Sequence, residues 1–321
     1  MSVSIIVPLY NKAAYITRCL DSIGVQTFQD FEIIVVDDGS TDGSSDIVAA
    51  YPDPRIRLLR QPNAGPGAAR NRGAAEAKFP LLAFLDADDE WLPAYLEHSL
   101  QLLEEHGEDV ASVSSGYIEE PAGTSREPMW RSLGITDGVQ VLTPQTPPAL
   151  AMHKLWYMAP WSTVIRADTF NRWGGFYGRD KALYGEVSFL FFKVLLNEKV
   201  VFSLTPLTRF HTEASSLSAN LPGPRPVEPI LRFPEEIESV CPAELRDLLW
   251  RVLAAFATRT AFMLGYWGQW REARELRRRF ATRGAWRFPL YFRALICSTP
   301  VGASLARAKR AARARLQTES T

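Results

Sequence analysis

Two aspartates one residue apart, Asp86 and Asp88, follow the apolar run Leu81-Leu82-Ala83-Phe84-Leu85, and Asp89 and Glu90 come directly after. The apolar run has the length and bulk of a buried strand. Like charges crowded at the end of a strand repel one another, so something positive has to sit among them. Carboxylate oxygens suit a hard divalent cation, and Mg²⁺ or Mn²⁺ takes such ligands while bridging to phosphates. A solvated loop can also carry an Asp-x-Asp, so the weight of this reading comes from the elements around it.

Those elements alternate. Val3–Leu9, Phe31–Val36, Ile56–Leu59 and Leu81–Leu85 are apolar runs suited to buried strands. Helical spacing covers Ala13–Gln26, Ser44–Tyr51 and Ala68–Ala77 between them. Strand–helix alternation predicts an open, mostly parallel sheet covered by helices. Ligands of such sheets bind beyond the carboxyl ends of the strands. All four predicted strands end in polar or glycine-rich clusters: Tyr10-Asn11, Asp37-Asp38, Asn63 to Gly67, and Asp86 to Asp89. Gly65-Pro66-Gly67 is not a dinucleotide fingerprint. It follows the third strand rather than the first, and Arg70 stands where the third glycine belongs. A nucleotidyltransferase shares the sheet-end logic but needs a basic glycine-rich loop after its first strand, and Pro8-Leu9-Tyr10-Asn11 is not one.

Four stretches, VSIIVPLYNKAAYITRCLDSI, FEIIVVDDGSTDGS, NAGPGAARNRGAAEA and FLDADDEWLP, together resemble an inverting family 2 glycosyltransferase with the GT-A fold. The likeness runs from Ser2 to Pro93 with the motifs in order. It implies a nucleotide diphosphate sugar at the sheet end, with UDP as the nucleotide. By the same likeness Pro8 and Tyr10 line the nucleotide pocket, Asp38 accepts the base N–H, and Arg70 lies near the phosphates. Asp86 and Asp88 are the Asp-x-Asp that holds Mg²⁺ or Mn²⁺ on the diphosphate. The residue chemistry is compatible with these roles. Asp38 is an acceptor beside the turn at Gly39, although it and its neighbours equally suit helix capping. Arg70 offers a planar fork to phosphate, or to a carboxylate of Asp37 or Asp86. Asp89 and Glu90 are expected to open the next helix, over Pro93–His106.

Inverting transfer needs a carboxylate to take the acceptor proton. The segment from Leu183 to Lys193 is similar to the family's Glu-Asp region, but Val187 stands where the aspartate is expected. Glu186 is therefore the expected base. Asp180 is the alternative, as is a catalytically weak or inactive nucleotide-sugar-binding protein. Thr208 to Ser218 is similar to the family's closing Arg-x-His-x-x-Ser-x-Ser, which makes His211 a candidate for the metal or the diphosphate. The stretch from Glu119 to Thr146 is polar and rich in Gly and Pro, and is expected to be loop.

The division expected is a GT-A catalytic domain over 1–219, a Pro-rich linker over 220–234, and a helical, basic extension over 235–321. Leu245, Leu248, Leu249, Leu253 and Phe256 stripe one helix, and Gly265 to Trp270 breaks it before a second. A single helical hairpin cannot bury its own face and must pack on something. The whole chain balances 36 basic against 36 acidic residues, but from Arg271 onward thirteen Arg/Lys meet three Glu. With Trp286, Phe288, Tyr291 and Phe292 among them, these residues suit an anionic membrane face; no nucleic-acid motif accompanies them. Three scattered cysteines with no metal or disulfide spacing, and an N-terminus unlike a signal peptide, lead to a cytoplasmic expectation, peripheral at the inner membrane face. No transmembrane helix is expected. The partners expected are the nucleotide-sugar donor and a saccharide or lipid-linked acceptor.

Overall fold

The structure is a computed structural model and describes residues 1–214, 225–280, 291–305 and 308. It contains two compact units, Met1–Leu142 with Met152–Ala219, and Thr143–Ala151 with Asn220–Thr321.

The first unit is built on one sheet. Its strands are β1 (Val3–Leu9), β2 (Phe31–Asp37), β3 (Ile56–Arg60), β4 (Leu81–Phe84), β5 (Glu90–Trp91), β6 (Val110–Glu120), β7 (Thr124–Ser125), β8 (Gly138–Gln140), β9 (Thr163–Arg166) and β10 (Lys199–His211). The order is β3-β2-β1-β4-β9-β6-β10-β5, with β7 on β6 and β8 on β10. The first four strands are parallel, so Leu9, Asp37, Arg60 and Phe84 end at one edge. Beyond them the sheet is mixed: β9 runs antiparallel between β4 and β6, and β10 is parallel to β6.

The helices here are α1 (Ile16–Gly24), α2 (Ser44–Ala49), α3 (Pro66–Ala75), α4 (Tyr95–His106), α5 (Glu127–Ser132), the part from Met152 onward of α6 (Pro148–Tyr157), α7 (Ala167–Arg172) and α8 (Glu186–Asn197). Alternate residues of the strands serve opposite faces. Val3, Ile5 and Val7 pack with Ile16, Leu20 and Ile23 of α1, while Ile34 and Val36 face Ala69 of α3. Helix α3 lies close to the sheet because it is small-sided. A Cβ on Gly73 would stand 2.4 Å from Ile6 Cγ2, and one on Gly67 2.3 Å from the Tyr177 carbonyl oxygen. That approach carries Arg70, between the two glycines, to the carboxyl edge of the sheet.

Two local expectations are overturned. Asp89 and Glu90 do not open a helix: Glu90–Trp91 pairs antiparallel with Thr208 and Arg209. There Trp91, fully buried, stacks on Tyr95 with ring centroids 4.4 Å apart. The stretch from Glu119 to Thr146 is not mainly loop. It holds β7, α5 and β8, each too short to stand alone and each ordered by a neighbour. Helix α5 begins Glu127-Pro128, an acid and a proline suited to a first turn, and buries Trp130.

The second unit is helical: α9 (Pro229–Arg232), α10 (Pro234–Glu238), α11 (Arg246–Tyr266), α12 (Trp270–Phe280) and α13 (Tyr291–Cys297). The expected Pro-rich linker over 220–234 falls outside the described residues up to 224; beyond them, α9 spans Pro229–Arg232 and α10 begins at Pro234. Helix α11 is the core of this unit. Leu248, Leu249, Val252, Leu253 and Phe256 are buried, and α9, α10, α12 and α13 pack around it. By length and composition Ala243–Tyr266 is apolar enough to cross a membrane, although none was expected, and 67% of that window is buried inside the protein. Where α13 crosses, Gly265 leaves no room for a side chain: a Cβ would lie 2.4 Å from the Cys297 carbonyl oxygen.

Candidate active site

The carboxyl edge of β1 to β4 opens into a cavity of about 460 Å³. Pro8, Tyr10, Asp38, Arg70, Asp86 and Asp88 all stand on its wall. Glycine geometry makes the rim. Gly39, at φ +82°, would place a Cβ 3.0 Å from the Asn63 nitrogen, so only glycine lets the loops after β2 and β3 meet. The loop after β1 is laced to the loop after β2: the Asn11 side-chain oxygen accepts from Thr41 N at 2.8 Å, and Asp42 accepts from Ala13 N at 2.9 Å.

Asp38 is buried and accepts three hydrogen bonds of 2.8 Å. Oδ1 takes Gln61 Nε2 and Ala64 N, and Oδ2 takes Gly65 N. A carboxylate oxygen has two acceptor directions, so Oδ2 retains one for a ligand N–H. Asp37 does not pair with Arg70; it accepts from Ser40 N at 2.9 Å and closes its own turn.

Arg70 is 4% exposed and bridges two acids. Its Nη2 donates to Asp86 Oδ1 at 2.6 Å and its Nη1 to Glu186 Oε1 at 3.1 Å. Its Nε is buried with no hydrogen-bond partner. Burial works against the guanidinium charge, and Asp86 and Glu186 more than offset it, so the group stays charged. Glu186 is the first residue of α8, after Gly185 at φ +72°. It is buried, it stands behind Arg70, and it is not on the cavity wall.

Asp88 lies 2.6 Å from Lys12 Nζ, which also donates to the Ala214 carbonyl oxygen at 2.8 Å. Burial and then the charge of Asp86 raise the Asp88 carboxyl above its usual range, against the pull of Lys12. Asp89, almost fully buried, is pushed well above that range by burial and then by Asp88 and Asp86. It accepts from His211 N at 2.9 Å, which ties the end of β10 to the acidic turn. Both ring nitrogens of His211 are engaged: Nε2 lies 2.6 Å from Glu90 Oε1, and Nδ1 lies 2.8 Å from Glu213 Oε1. His211 therefore braces this corner, and a metal role requires one of those contacts to be released.

For a divalent cation the donor chemistry fits at Asp86 and Asp88. Both are oxygen ligands on the cavity wall, where Asp38 is the third acid and Lys12, Arg70 and Lys181 bring positive charge, Lys12 on Asp88 and Arg70 on Asp86. Among the described residues no group of three or more His, Cys, Asp or Glu is arranged to hold a metal. The protein thus supplies two carboxylates, and phosphate and water oxygens would have to complete the shell.

Among the cavity residues not foreseen as part of the site are Lys12, Lys181 and Leu183. Lys12 had a signal, a cation one residue after the polar end of β1. Lys181 had none, and Leu183 only the likeness of the segment it opens to the family's Glu-Asp region. They reach the cavity because the chain turns sharply at Asp180 and Lys181, at φ +58° and +49°.

The comparisons agree with this geometry. Residues 4–167 match the family described as Glycosyl transferase family 2. An uncharacterized glycosyltransferase, YibD of Escherichia coli, is 34% identical over 189 residues, 58% of this chain and 51% of YibD. A putative glycosyltransferase, EpsH of Bacillus subtilis, is 39% identical over 127 residues, 39% of this chain and 36% of EpsH. The chain thus spans about half the length of the first relative and about a third of the second. Residues 1–349 of S. aureus TarS superpose with a TM-score of 0.56 at 19% identity, covering 89% of each chain. A Pyrobaculum calidifontis mannosyltransferase solved with GDP-Man and Mn²⁺ does so with a TM-score of 0.52 at 18% identity, covering 94% of this chain and 86% of that one. These structural likenesses give the fold, GT-A.

Proposed function

The chain belongs to glycosyl transferase family 2 and is a glycosyltransferase, and from that premise we propose that it moves a sugar from a UDP-sugar to an acceptor hydroxyl with inversion at the anomeric carbon. The observation that carries this reading is the single cavity on which Pro8, Tyr10, Asp38, Arg70, Asp86 and Asp88 converge. TarS has been solved with UDP and with UDP-GlcNAc, which favours UDP over other nucleotides here. Tyr10 and Asp38 take the base, Asp38 through its remaining acceptor direction. Arg70 and Lys12 face the diphosphate. Asp86 and Asp88 would hold Mg²⁺ or Mn²⁺, which when bound would supply positive charge to offset that of the leaving diphosphate.

Glu186 is the base. The incoming phosphates compete with Asp86 and Glu186 for the Arg70 guanidinium, since a charged fork binds phosphate as well as carboxylate. Release of Glu186 frees its carboxylate to take the acceptor proton as the acceptor oxygen attacks C1 from the face opposite the diphosphate. His211 positions the acidic turn from behind. The acceptor is a saccharide or a lipid-linked sugar, in polysaccharide or glycolipid synthesis, at the cytoplasmic membrane face. The proposed division follows: a catalytic domain over 1–219, a connection over 220–234, and a helical extension to 321.

Turnover tests the assignment. With UDP-sugar and Mn²⁺ the protein is expected to release UDP slowly even without acceptor. Glu186→Gln is expected to abolish release while UDP binding, read by thermal shift, stays within twofold. Full activity of Glu186→Gln would remove Glu186 from the mechanism, and Asp180→Asn then becomes the variant to measure. A second reading, a nucleotide-sugar-binding protein without turnover, draws on Val187 and on the place of Glu186 behind Arg70. UDP binding with no release from any UDP-sugar would favour it.

A further inference from the structure

The helical unit carries charge and apolar surface that its own packing does not use. On α13, Ala294 and Cys297 are buried, while Phe292, Leu295 and Ile296 face out at positions i, i+3 and i+4. Phe292 is 66% exposed and Ile296 58%. Val301 and Leu305, one turn apart and just beyond, are 70% and 66% exposed. Such a run of large outward apolar side chains is not what a surface facing only water carries.

Helix α12 supplies the charge. Its buried stripe is Ala273, Leu276 and Phe280. Its other face, with Trp270, Arg271, Arg274, Glu275, Arg278 and Arg279, borders a groove of about 490 Å³, four arginines to one acid. Among the described residues Arg279 pairs with Glu235 at 3.5 Å, but Arg271, Arg274, Arg277, Arg278 and Arg293 have no carboxylate within 4.0 Å. The Arg271 guanidinium lies over the Trp270 ring at 5.1 Å. Arg277 Nε lies 3.3 Å from Ser298 Oγ, which brings the basic helix beside the end of α13. The sequence adds Arg307, Lys309, Arg310, Arg313 and Arg315.

We propose that this unit is a docking surface for an anionic lipid bilayer. Phe292, Leu295 and Ile296 enter the acyl boundary, and the unpaired arginines of α12 with Arg293 bind lipid phosphates. Charge complementarity selects this partner. A surplus of arginine over carboxylate, beside exposed aliphatic and aromatic side chains, matches the phosphate-over-hydrocarbon order of a membrane surface. An acidic protein would satisfy the arginines but not the apolar face, and nucleic acid likewise. Helix α11 is not the anchor, because its apolar surface is already packed within the unit. The inference rests on the transfer reading only for its purpose, which is to hold the chain where a lipid-linked acceptor lies.

The full chain is sedimented with phosphatidylcholine vesicles and with vesicles in which about a third of the lipid is phosphatidylglycerol. Binding is expected to the anionic vesicles only, weakening as salt is raised, with a blue shift of tryptophan emission. Arg274→Gln with Arg278→Gln is expected to lower the partition coefficient about 25-fold, each arginine near the surface contributing about fivefold. Phe292→Ser with Ile296→Ser is expected to lower it about tenfold. Unchanged helicity and unchanged UDP release in both pairs show that the variants fold. Failure to bind anionic vesicles, equal binding to neutral ones, or indifference to both pairs overturns the proposal. So does a dimer that the Phe292/Ile296 pair dissolves while vesicle binding persists, which would give the face to a second copy. UDP release without vesicle binding sinks the docking surface and leaves the transferase; vesicle binding without release does the reverse.

Discussion

The two units treat positive charge in opposite ways. In the α/β unit most cations around the acidic edge are matched to acids: Arg70 to Asp86 and Glu186, Lys12 to Asp88, Arg18 to Glu90, with Lys181 on the cavity wall outside these pairs. In the helical unit a run of arginines has no carboxylate among the described residues. A buried, matched charge fixes geometry, because removing one partner strands the other in a poorly solvated place. An exposed, unmatched charge fixes nothing within the fold and is free for something outside it. Charge in the first unit therefore organises a site, whereas in the second it presents a surface.

The largest expected effect lies in the first unit. Arg70→Met leaves Asp86 and Glu186 without their shared cation, and unfolding in urea is expected to show a loss of about 3–5 kcal/mol. A loss below about 1 kcal/mol would mean that solvent already screens the bridge. Next is Gly67→Ala, which drives a methyl against the Tyr177 carbonyl and the side chain of Glu186. A loss of about 1–3 kcal/mol is expected from overpacking, together with slower UDP release because Arg70 and Glu186 are displaced.

Lys12→Met has a smaller effect of the opposite sign. It removes the ammonium that competes for Asp88, so Mn²⁺ titrated calorimetrically without nucleotide is expected to bind several-fold more tightly. Unchanged or weaker Mn²⁺ binding would show that Lys12 and the cation do not share Asp88. Smallest is Arg278→Gln, expected to change stability by less than about 0.5 kcal/mol, as for exposed residues without partners. A change as large as that of Arg70→Met would erase the contrast between the units.

Much of this was legible in the sequence. Strands β1 to β4 end within one residue of their expected bounds, because apolar runs in a parallel sheet are marked by composition alone. Their polar ends marked the carboxyl edge. Helix α1 is shorter than its apolar pattern, since Lys12 to Ala14 are used in the turn that faces Asp88 and Asp42. The short elements β5, β7, β8 and α5 were not legible, because two to six residues carry too little pattern and take their order from β6 and β10. Within the site, spacing pointed to Asp86 and Asp88 and the family resemblance to Asp38 and Arg70; of their observed partners the sequence offered only Asp86 for Arg70. The bridge from Arg70 to Glu186 spans 116 positions, and no local rule carries that distance. Of the two side-chain contacts of His211, Glu213 lies two residues on, whereas Glu90 is 121 positions away and nothing in its neighbourhood marks it. In the tail, the charge surplus was plain in composition, but that the arginines of α12 other than Arg279 lack acidic partners among the described residues became visible only in the fold.

The account depends most on the two carboxylates of the Asp-x-Asp acting together on a nucleotide diphosphate. Calorimetric titration of UDP, with and without Mn²⁺, into the parent protein and into Asp86→Asn/Asp88→Asn tests this directly. Binding in the parent is expected to require Mn²⁺ and to vanish in the double variant. UDP binding that is indifferent to Mn²⁺, or equally tight without the two carboxylates, would contradict it.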